Sequence, residues 1–128
     1  MKIVIIGAGT VGFQLARILT EEGKDVVLIE QDPETAKYVT NHLDCLVIND
    51  EGNNIEVLKQ AGIEDADFFV SVAHSDEINI VSCLIVASEF NVPCKIARIR
   101  NSTYFQKAHR TTFPGIDHLV HPEIEAAQ

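Results

Sequence analysis

The sequence predicts an α/β fold, a single domain with a doubly wound parallel sheet of about six strands and helices on both faces. Its short apolar segments, such as 68–72, show no polar alternation and are separated by longer amphipathic segments. Strands buried on both faces of a parallel sheet have this composition. The first apolar segment, 2–6, continues directly into a G-x-G-x-x-G motif at 7–12. Together these features indicate a Rossmann-type domain, and 128 residues are enough for one.

The glycine motif and the acidic residue after it form a pattern typical of dinucleotide binding. Gly7 permits a tight turn after the strand, Gly9 permits backbone N–H groups to approach a pyrophosphate, and Gly12 permits close helix packing. The helix from Thr10 directs its N-terminal dipole at the phosphates. Glu30, at the end of the second strand, can bind the adenosine ribose and repels the 2′-phosphate of NADP. The alternative is that the glycines only shape a strand-to-helix turn.

The remaining elements are predicted from caps, turn residues and apolar spacing. Asp32 and Pro33 begin the second helix, while Gly23 and Gly62 follow the ends of the first and third. The strand at 67–73 should lie directly beside the first, across the topological switch point. The other expected strands are 25–29, 45–48, 94–99 and 117–120, and helices should begin at 10, 33, 55, 76, about 102 and 122. The first helix should pack on the sheet through Val11, Leu15, Ile18 and Leu19.

The helix at 76–89 is unusual because apolar residues surround most of its circumference. Its narrow polar side consists of Asn79, Ser82 and Glu89. A helix that is apolar all round must be buried on more than one side, and a single small domain covers only one. We therefore expect a second subunit to cover the other side, which makes the chain a homo-oligomer. The alternative is an apolar helix exposed to solvent.

The composition argues against several classes of protein. The chain has 10 basic and 19 acidic residues and a net charge of −9, which disfavours direct binding of nucleic acid or anionic lipid. No apolar run approaches the roughly 18 residues of a membrane span, and no signal peptide precedes the first strand. The three cysteines form no C-x-x-C pair, so we expect small buried hydrophobes rather than disulfides or a zinc site. The expected location is the cytoplasm.

Three residues at predicted strand ends are candidates for ligand contact. Ala73 and His74 end the fourth strand, and His74 is either a wall of the nucleotide pocket or a general base. Arg98 lies near the end of the fifth strand together with Arg100. Its guanidinium either contacts a phosphate or forms a surface ion pair.

We find neither a catalytic nor a metal-binding constellation in the sequence. Tyr104 and Lys107 form Y-x-x-K rather than the Y-x-x-x-K of short-chain dehydrogenases. His118 and His121, with His109 nearby, would need to share a face, but strand alternation separates the first two and no Cys or carboxylate completes the set. We therefore expect a nucleotide-binding domain that is not an enzyme and holds no metal.

Stretches spread over nearly all 128 residues resemble the N-terminal nucleotide-binding domain of the RCK (KTN, TrkA N-terminal) family. The most specific are A-G-I-E-D-A-D at 61–67 and I-A-R-I-R at 96–100, which ordinary dehydrogenases lack. The glycine motif, S-D-E-I-N at 75–79 and G-I-D-H-L-V-H-P-E at 115–123 match as well. Members of the family continue into a second small domain, so the chain is expected to be the first part of a longer regulator or a minimal subunit.

The resemblance implies a cytosolic regulatory subunit that binds NAD(H), or in some members ATP or ADP. Such a subunit assembles as a dimer or ring and gates a membrane-embedded potassium transporter subunit of the TrkH/KtrB kind. Thr10 stands where some ATP-preferring relatives have Arg, which favours NAD(H). Glu51 is the implied adenine-side contact, in a loop with Asp50-Glu51-Gly52 in place of the family's usual Gly-Asp. The other implied contacts are Gly7, Ala8, Gly9, Thr10, Val11, Glu30, Ala73, His74 and Arg98.

Three functions are therefore open at this point. The favoured one is a non-enzymatic regulatory domain whose nucleotide state alters the arrangement of subunits. The second is the cofactor-binding domain of an NAD-dependent oxidoreductase whose catalytic residues lie elsewhere. The third is an interaction module that binds no nucleotide.

Overall fold

A computed structural model of the chain describes residues 1–101, 103–106 and 115–120. The strands are β1 (Lys2–Ile6), β2 (Asp25–Ile29), β3 (Leu46–Ile48), β4 (Phe68–Ser71), β5 (Cys94–Arg98) and β6 (His118–Val120). The helices are α1 (Thr10–Glu21), α2 (Pro33–His42), α3 (Ile55–Gln60), α4 (Asp76–Glu89) and α5 (Thr103–Gln106), with a 3-10 turn at Ile63–Asp65. None of these helices is long and apolar enough to cross a membrane. The helix predicted to begin at 122 lies outside the described residues.

The strands form one parallel sheet in the order β3-β2-β1-β4-β5-β6. β1 is central and pairs in parallel with β2 on one side and with β4 on the other. The chain winds outward from β1 in one direction and from β4 in the other, so the topological switch point lies between them. The predicted doubly wound Rossmann fold is confirmed, including the position of β4 beside β1.

Two hydrophobic layers, one on each face of the sheet, explain why the strands lack polar alternation. In β1, Val4 and Ile6 face one layer, and Ile3 and Ile5 face the other. Each of these four residues is at most 3% exposed. Residues of α3 and α4 close the first layer, and residues of α1 and α2 close the second. Both faces of β1 are therefore apolar, as parallel sheets with helices on both sides require.

Several helix ends carry capping residues, and the predicted Asp32, Gly23 and Gly62 are among them. The side chains of Asp32 and Ser75 each accept a hydrogen bond from a first-turn N–H, in α2 and α4 respectively. Asn54 accepts two such bonds at the start of α3. Gly23 and Gly62 adopt positive φ angles of 81° and 79° just beyond the ends of α1 and α3. Glycine suits these positions because other residues rarely adopt this conformation.

The buried face of α1 differs from the predicted one. Val11 and Ile18, both expected to pack on the sheet, are 43% and 46% exposed. The buried positions are instead Gly12 and Ala16, one helical turn apart. These two residues have little or no side chain, so α1 approaches the sheet closely along this line. An assignment by apolar side chains alone selected larger residues on a neighbouring strip and was wrong for Val11 and Ile18.

The bounds of α4 agree with the prediction, but two of the three residues on its polar side are buried. Asn79 and Ser82 are completely buried, whereas Val81 and Leu84 are 42% and 40% exposed. Polar residues can be buried at no net cost when they find hydrogen-bond partners, and Asn79 makes four such bonds. Two residues of the predicted polar side are therefore in the interior of the domain, which the residue pattern alone did not indicate. Coverage of the exposed apolar residues by a second subunit stays a prediction.

The three cysteines should differ in reactivity. Cys83 is completely buried in the core, and burial raises the pKa of its thiol to about 12, while Cys45 and Cys94 are partly exposed. Because the thiolate is the nucleophile, iodoacetamide at pH 8 should modify Cys45 and Cys94 well before Cys83. Peptide mass spectrometry over a time course measures the order, and all three should react at similar rates in urea. Early modification of Cys83 in the folded protein would contradict the packing of α4.

Candidate functional site

A cleft that is open to solvent lies at the carboxyl ends of the strands beside the switch point. Residues that follow β1, β2, β3, β4 and β5 all contribute to its wall. Seven residues selected from the sequence are among them: Gly7, Gly9, Thr10, Glu30, Ala73, His74 and Arg98. The fold thus assembles one site from segments that are far apart in the chain.

The three motif glycines are needed for different reasons. Gly7 has a φ of +98°, and a Cβ atom there would lie only 2.7 Å from the Cα of Ala73. A Cβ atom on Gly12 would fall on the carbonyl oxygen of Gly7, inside the turn itself. A Cβ atom on Gly9, by contrast, would meet no atom of the described chain within 4 Å. The fold therefore explains Gly7 and Gly12, whereas Gly9 leaves open space that a ligand can fill.

Glu30 connects the glycine loop to the start of α2. One of its carboxylate oxygens accepts the N–H of Ala8 at 2.7 Å, and the other accepts the N–H of Asp32 at 2.8 Å. Each oxygen can accept more than one hydrogen bond, so a ribose hydroxyl can still bind the carboxylate. Glu30 thus shapes the loop in addition to lining the cleft.

Arg98 is a buried cation in the cleft wall. Arg98 is only 8% exposed. One of its terminal guanidinium nitrogens donates to the carbonyl of Val72 at 3.3 Å and, more weakly, to the carbonyl of Ala73 at 3.5 Å. Its Nε is buried without a hydrogen-bond partner, and no carboxylate in the described part of the chain pairs with it. Burial and the neighbouring Arg100 lower the pKa of its guanidinium. The alternative of a surface ion pair is therefore wrong, and Arg98 suits an anionic ligand.

The charges along the cleft change sign across the sheet. Asp50 follows β3, Glu30 follows β2, the glycine loop follows β1, and Arg98 and Arg100 lie at the end of β5. With neighbouring strands about 4.8 Å apart, the cleft extends roughly 14 Å from β2 to β5. Ribose hydroxyls can donate to carboxylates, and phosphates accept from N–H groups and guanidinium. A molecule with an uncharged sugar at one end and phosphates beyond it complements this order.

The family of the chain follows from its sequence. The family model of the TrkA-N domain matches residues 3–122, which is nearly the whole chain. The chain belongs to the TrkA-N domain family. It is 41% identical over its full length to the Trk system potassium uptake protein TrkA of Azorhizobium caulinodans, and 39% identical over 99% of its length to a TrkA homolog of Methanothermobacter thermautotrophicus. It spans 29% and 57% of the lengths of these relatives, respectively.

Solved structures share the fold of this TrkA-N domain. The TrkA-N domain of the inner membrane protein ybaL from Escherichia coli matches 98% of the chain, and 90% of its own, with a TM-score of 0.83 at 18% identity. The GsuK channel bound to NAD matches 93% of the chain, with 21% of its own, at a TM-score of 0.78 and 20% identity. The AMP-bound Kef CTD of Shewanella denitrificans matches 99%, with 75% of its own, at a TM-score of 0.75 and 16% identity. At such identities the likeness establishes the fold.

Three of the predicted contacts lie beside the cleft of the TrkA-N domain and outside its wall. Ala8 is buried, and its N–H is bound to Glu30. Val11 is exposed on α1. Glu51 lies in a shallow depression next to the cleft, together with Asp32. Direct contact of these residues with a ligand stays a prediction.

The loop after β3 supplies wall residues that the sequence did not select. Gly52 is buried against Ile6, and a Cβ atom at this position would fall on the Ile6 side chain. This close approach carries the loop over the end of β1 and brings Asp50 and Asn53 to the cleft. The glycine indicated a turn, but not which strand the turn would approach. Other wall residues that the sequence did not select are Ile6, Ile29, Gln31, Val72, Ser75, Ile78 and Arg100.

The described residues of the cleft provide hydrogen-bonding and charged groups, and they do not form a cluster of metal ligands. The described residues contain no group of three or more His, Cys, Asp or Glu side chains that could hold a metal ion. His74 is exposed at the cleft, in agreement with a wall position, and His118 is exposed in β6. His109, His121 and Lys107 lie outside the described residues. The groups present are carboxylates, loop N–H donors and guanidinium.

Proposed function

We propose that this TrkA-N domain binds NAD(H), or ATP or ADP, in the cleft beside the glycine loop and acts as a regulatory domain rather than an enzyme. The observation that carries the proposal is Arg98, a buried guanidinium with an unpartnered Nε and no carboxylate counter-ion in the described residues. A buried charge that no carboxylate within ion-pair distance balances costs free energy, which an anionic ligand would recover. The NAD bound to GsuK and the AMP bound to the Kef CTD, on the same fold, support an adenine nucleotide as that anion.

In the proposed binding mode the adenosine ribose lies near Glu30 and Asp50. The phosphates lie on the open side of Gly9, where the N-terminus of α1 adds unpaired N–H donors and a favourable dipole. The distal part of the ligand extends towards Arg98 and Arg100. This orientation matches the order of charges along the cleft. The Glu30 carboxylate would repel the 2′-phosphate of NADP in this position.

The proposed output is control of potassium uptake. The relatives that cover the chain are named Trk system potassium uptake proteins, which supports a membrane-embedded potassium transporter subunit of the TrkH/KtrB kind as the partner and the cytoplasm as the location. A nucleotide can shift such a partner only if two arrangements of the regulator bind it with different affinity. The exposed Val81 and Leu84 on α4 support a dimer or ring in which those arrangements differ.

Isothermal titration of the purified chain with NADH, NAD⁺, ADP, ATP and NADP⁺ tests the proposal. We expect micromolar binding of at least one of the first four and poor binding of NADP⁺. Glu30→Gln should weaken NADH binding about tenfold, because the single amide oxygen can no longer accept from Ala8, Asp32 and the ribose together. It should also narrow the preference for NADH over NADP⁺, because it removes the charge that repels the 2′-phosphate. Glu34→Gln is the matched control, since Glu34 is exposed in the first turn of α2 and outside the cleft wall.

Two results would contradict the proposal. Absence of binding by all five nucleotides would mean that the glycine loop is structural and that the domain is an interaction module. Steady oxidation of NADH by a substrate added with the purified chain would instead favour the cofactor-binding domain of an oxidoreductase.

A further inference from the structure

Asn79, in the second turn of α4, connects the ends of two neighbouring strands. Its side-chain oxygen accepts the hydroxyl of Ser71 and the N–H of Ala73, both at 2.9 Å. Its side-chain nitrogen donates to the carbonyl of Ala73 at 3.1 Å and to the carbonyl of Arg98 at 2.8 Å. The amide has two donors and an oxygen with two lone pairs, so its hydrogen-bonding capacity is fully used.

The residues held by Asn79 are themselves part of the cleft wall. Ala73 and Arg98 both line the cleft, at the ends of β4 and β5. The Arg98 side chain in turn donates to the carbonyls of Val72 and Ala73. Asn79, Ala73 and Arg98 therefore form a closed set of hydrogen bonds, in which the position of the guanidinium depends on the spacing of the two strand ends.

A neighbouring residue on the same helix shows that this arrangement is specific to Asn79. Ser82 lies on the same buried side of α4 and is likewise completely buried. Its hydroxyl has no hydrogen-bond partner among the described residues. Burial on α4 alone therefore does not create a link to the cleft, and Ser82 provides a matched comparison.

We propose that Asn79 is a positioning residue for the nucleotide site: it holds the ends of β4 and β5 so that the Arg98 guanidinium meets the phosphates of the ligand. This inference rests on the proposed function. Asn79 has no direct role in binding, because its amide is already saturated by the protein. Its contribution should therefore be confined to the part of the ligand that Arg98 contacts. The affinity for ligands that carry phosphates should depend on Asn79, and the affinity for adenosine should not.

The first test compares Asn79→Ala with Ser82→Ala in the purified chain. We expect Asn79→Ala to weaken ADP and NADH binding about tenfold, because it removes hydrogen bonds that position a charged group. The affinity for adenosine, measured by ligand-observed NMR, should change by less than about twofold. Ser82→Ala should bind all three ligands as the wild type does. A role of Asn79 in overall stability alone would change ADP and adenosine binding together, and this result would overturn the inference.

A double-mutant cycle with Arg98→Ala shows whether Asn79 acts through Arg98. The backbone carbonyl that Asn79 binds is retained in Arg98→Ala, so the packing role of Asn79 persists in that background. We expect Asn79→Ala to change ADP affinity by less than about twofold there. Equal losses in the two backgrounds would overturn the inference. If Asn79→Ala does not fold, Ser71→Ala takes its place, because it removes one hydrogen bond of the same set. Ser71→Ala should weaken ADP binding about threefold. Unchanged ADP affinity in this variant would overturn the inference.

The wild-type titration separates this inference from the proposed function. If the wild type binds none of the nucleotides, the proposed function fails, and this inference fails with it. If the wild type binds ADP or NADH and the Asn79 variants bind equally well, only the positioning role of Asn79 is wrong.

Discussion

Gly9→Ala should leave the domain folded while weakening ADP and NADH binding about tenfold or more. In the structure, Gly9 has φ and ψ of −68° and −166°, a conformation open to alanine, and its Cβ position meets no described atom within 4 Å. The added methyl group would occupy the space beside the loop where the proposed phosphates lie. Overpacking a close contact costs about 1–3 kcal/mol, which corresponds to the expected loss. Titration measures the affinity, and thermal denaturation measures the stability.

Gly12→Ala is the control for this prediction, because the same methyl group has a different effect there. A Cβ atom on Gly12 would fall on the carbonyl oxygen of Gly7, and both atoms belong to a tightly packed turn. We expect this variant to lose several kcal/mol of stability or not to fold. If Gly9→Ala bound ADP and NADH as the wild type does, the loop would not be the phosphate site.

The sequence was most informative where the structure depends on neighbours in the chain. A strand, a tight turn and a helix start within 2–12 use residues whose roles follow from local geometry, and Glu30 ends the strand that must pair with the first. Caps such as Asp32 and the positive φ angle of Gly62 are local as well. These features could be predicted because each depends on a few consecutive residues.

The sequence was less informative about which side of a helix is buried. Residue classes alone placed Val11 on the buried face of α1, but it is exposed, and they did not indicate that Asn79 is completely buried. Small residues allowed α1 to approach the sheet along Gly12 and Ala16. Hydrogen bonds to strand ends compensate the burial of Asn79. Both depend on contacts between elements far apart in sequence, which periodicity does not encode.

The cleft likewise combines features that follow from consecutive residues with features that depend on distant contacts. Its glycine loop and Glu30 belong to one continuous βαβ unit, so their meeting could be predicted. Asp50 and Asn53 reach the cleft only because Gly52 packs on Ile6, and Asp76 holds the segment after β5 by accepting the N–H of Arg100. Arg98 could be selected as a candidate, but its burial and its lack of an ion pair with any described carboxylate required the structure.

Arg98→Ala should weaken ADP and NADH binding about tenfold to a hundredfold without lowering the stability of the free domain. A hydrogen bond to a charged group contributes about 1.5–3 kcal/mol, which corresponds to this range. In the unliganded domain the guanidinium is buried with no carboxylate counter-ion among the described residues, so removing it also removes a desolvation cost. Loss of affinity with equal or higher stability is a combination that damage to the fold would not produce.

Two controls accompany Arg98→Ala: a second variant, Arg100→Ala, and a ligand without phosphates, adenosine. Arg100 also lines the cleft but is exposed, so its charge is screened by water and its loss should weaken ADP only about twofold to threefold. Adenosine lacks phosphates and should bind Arg98→Ala as it binds the wild type. Equal losses for adenosine and ADP would mean that Arg98 maintains the shape of the cleft. A phosphate-specific loss would assign the buried guanidinium to the anionic part of the ligand, because only that part carries the charge that compensates it.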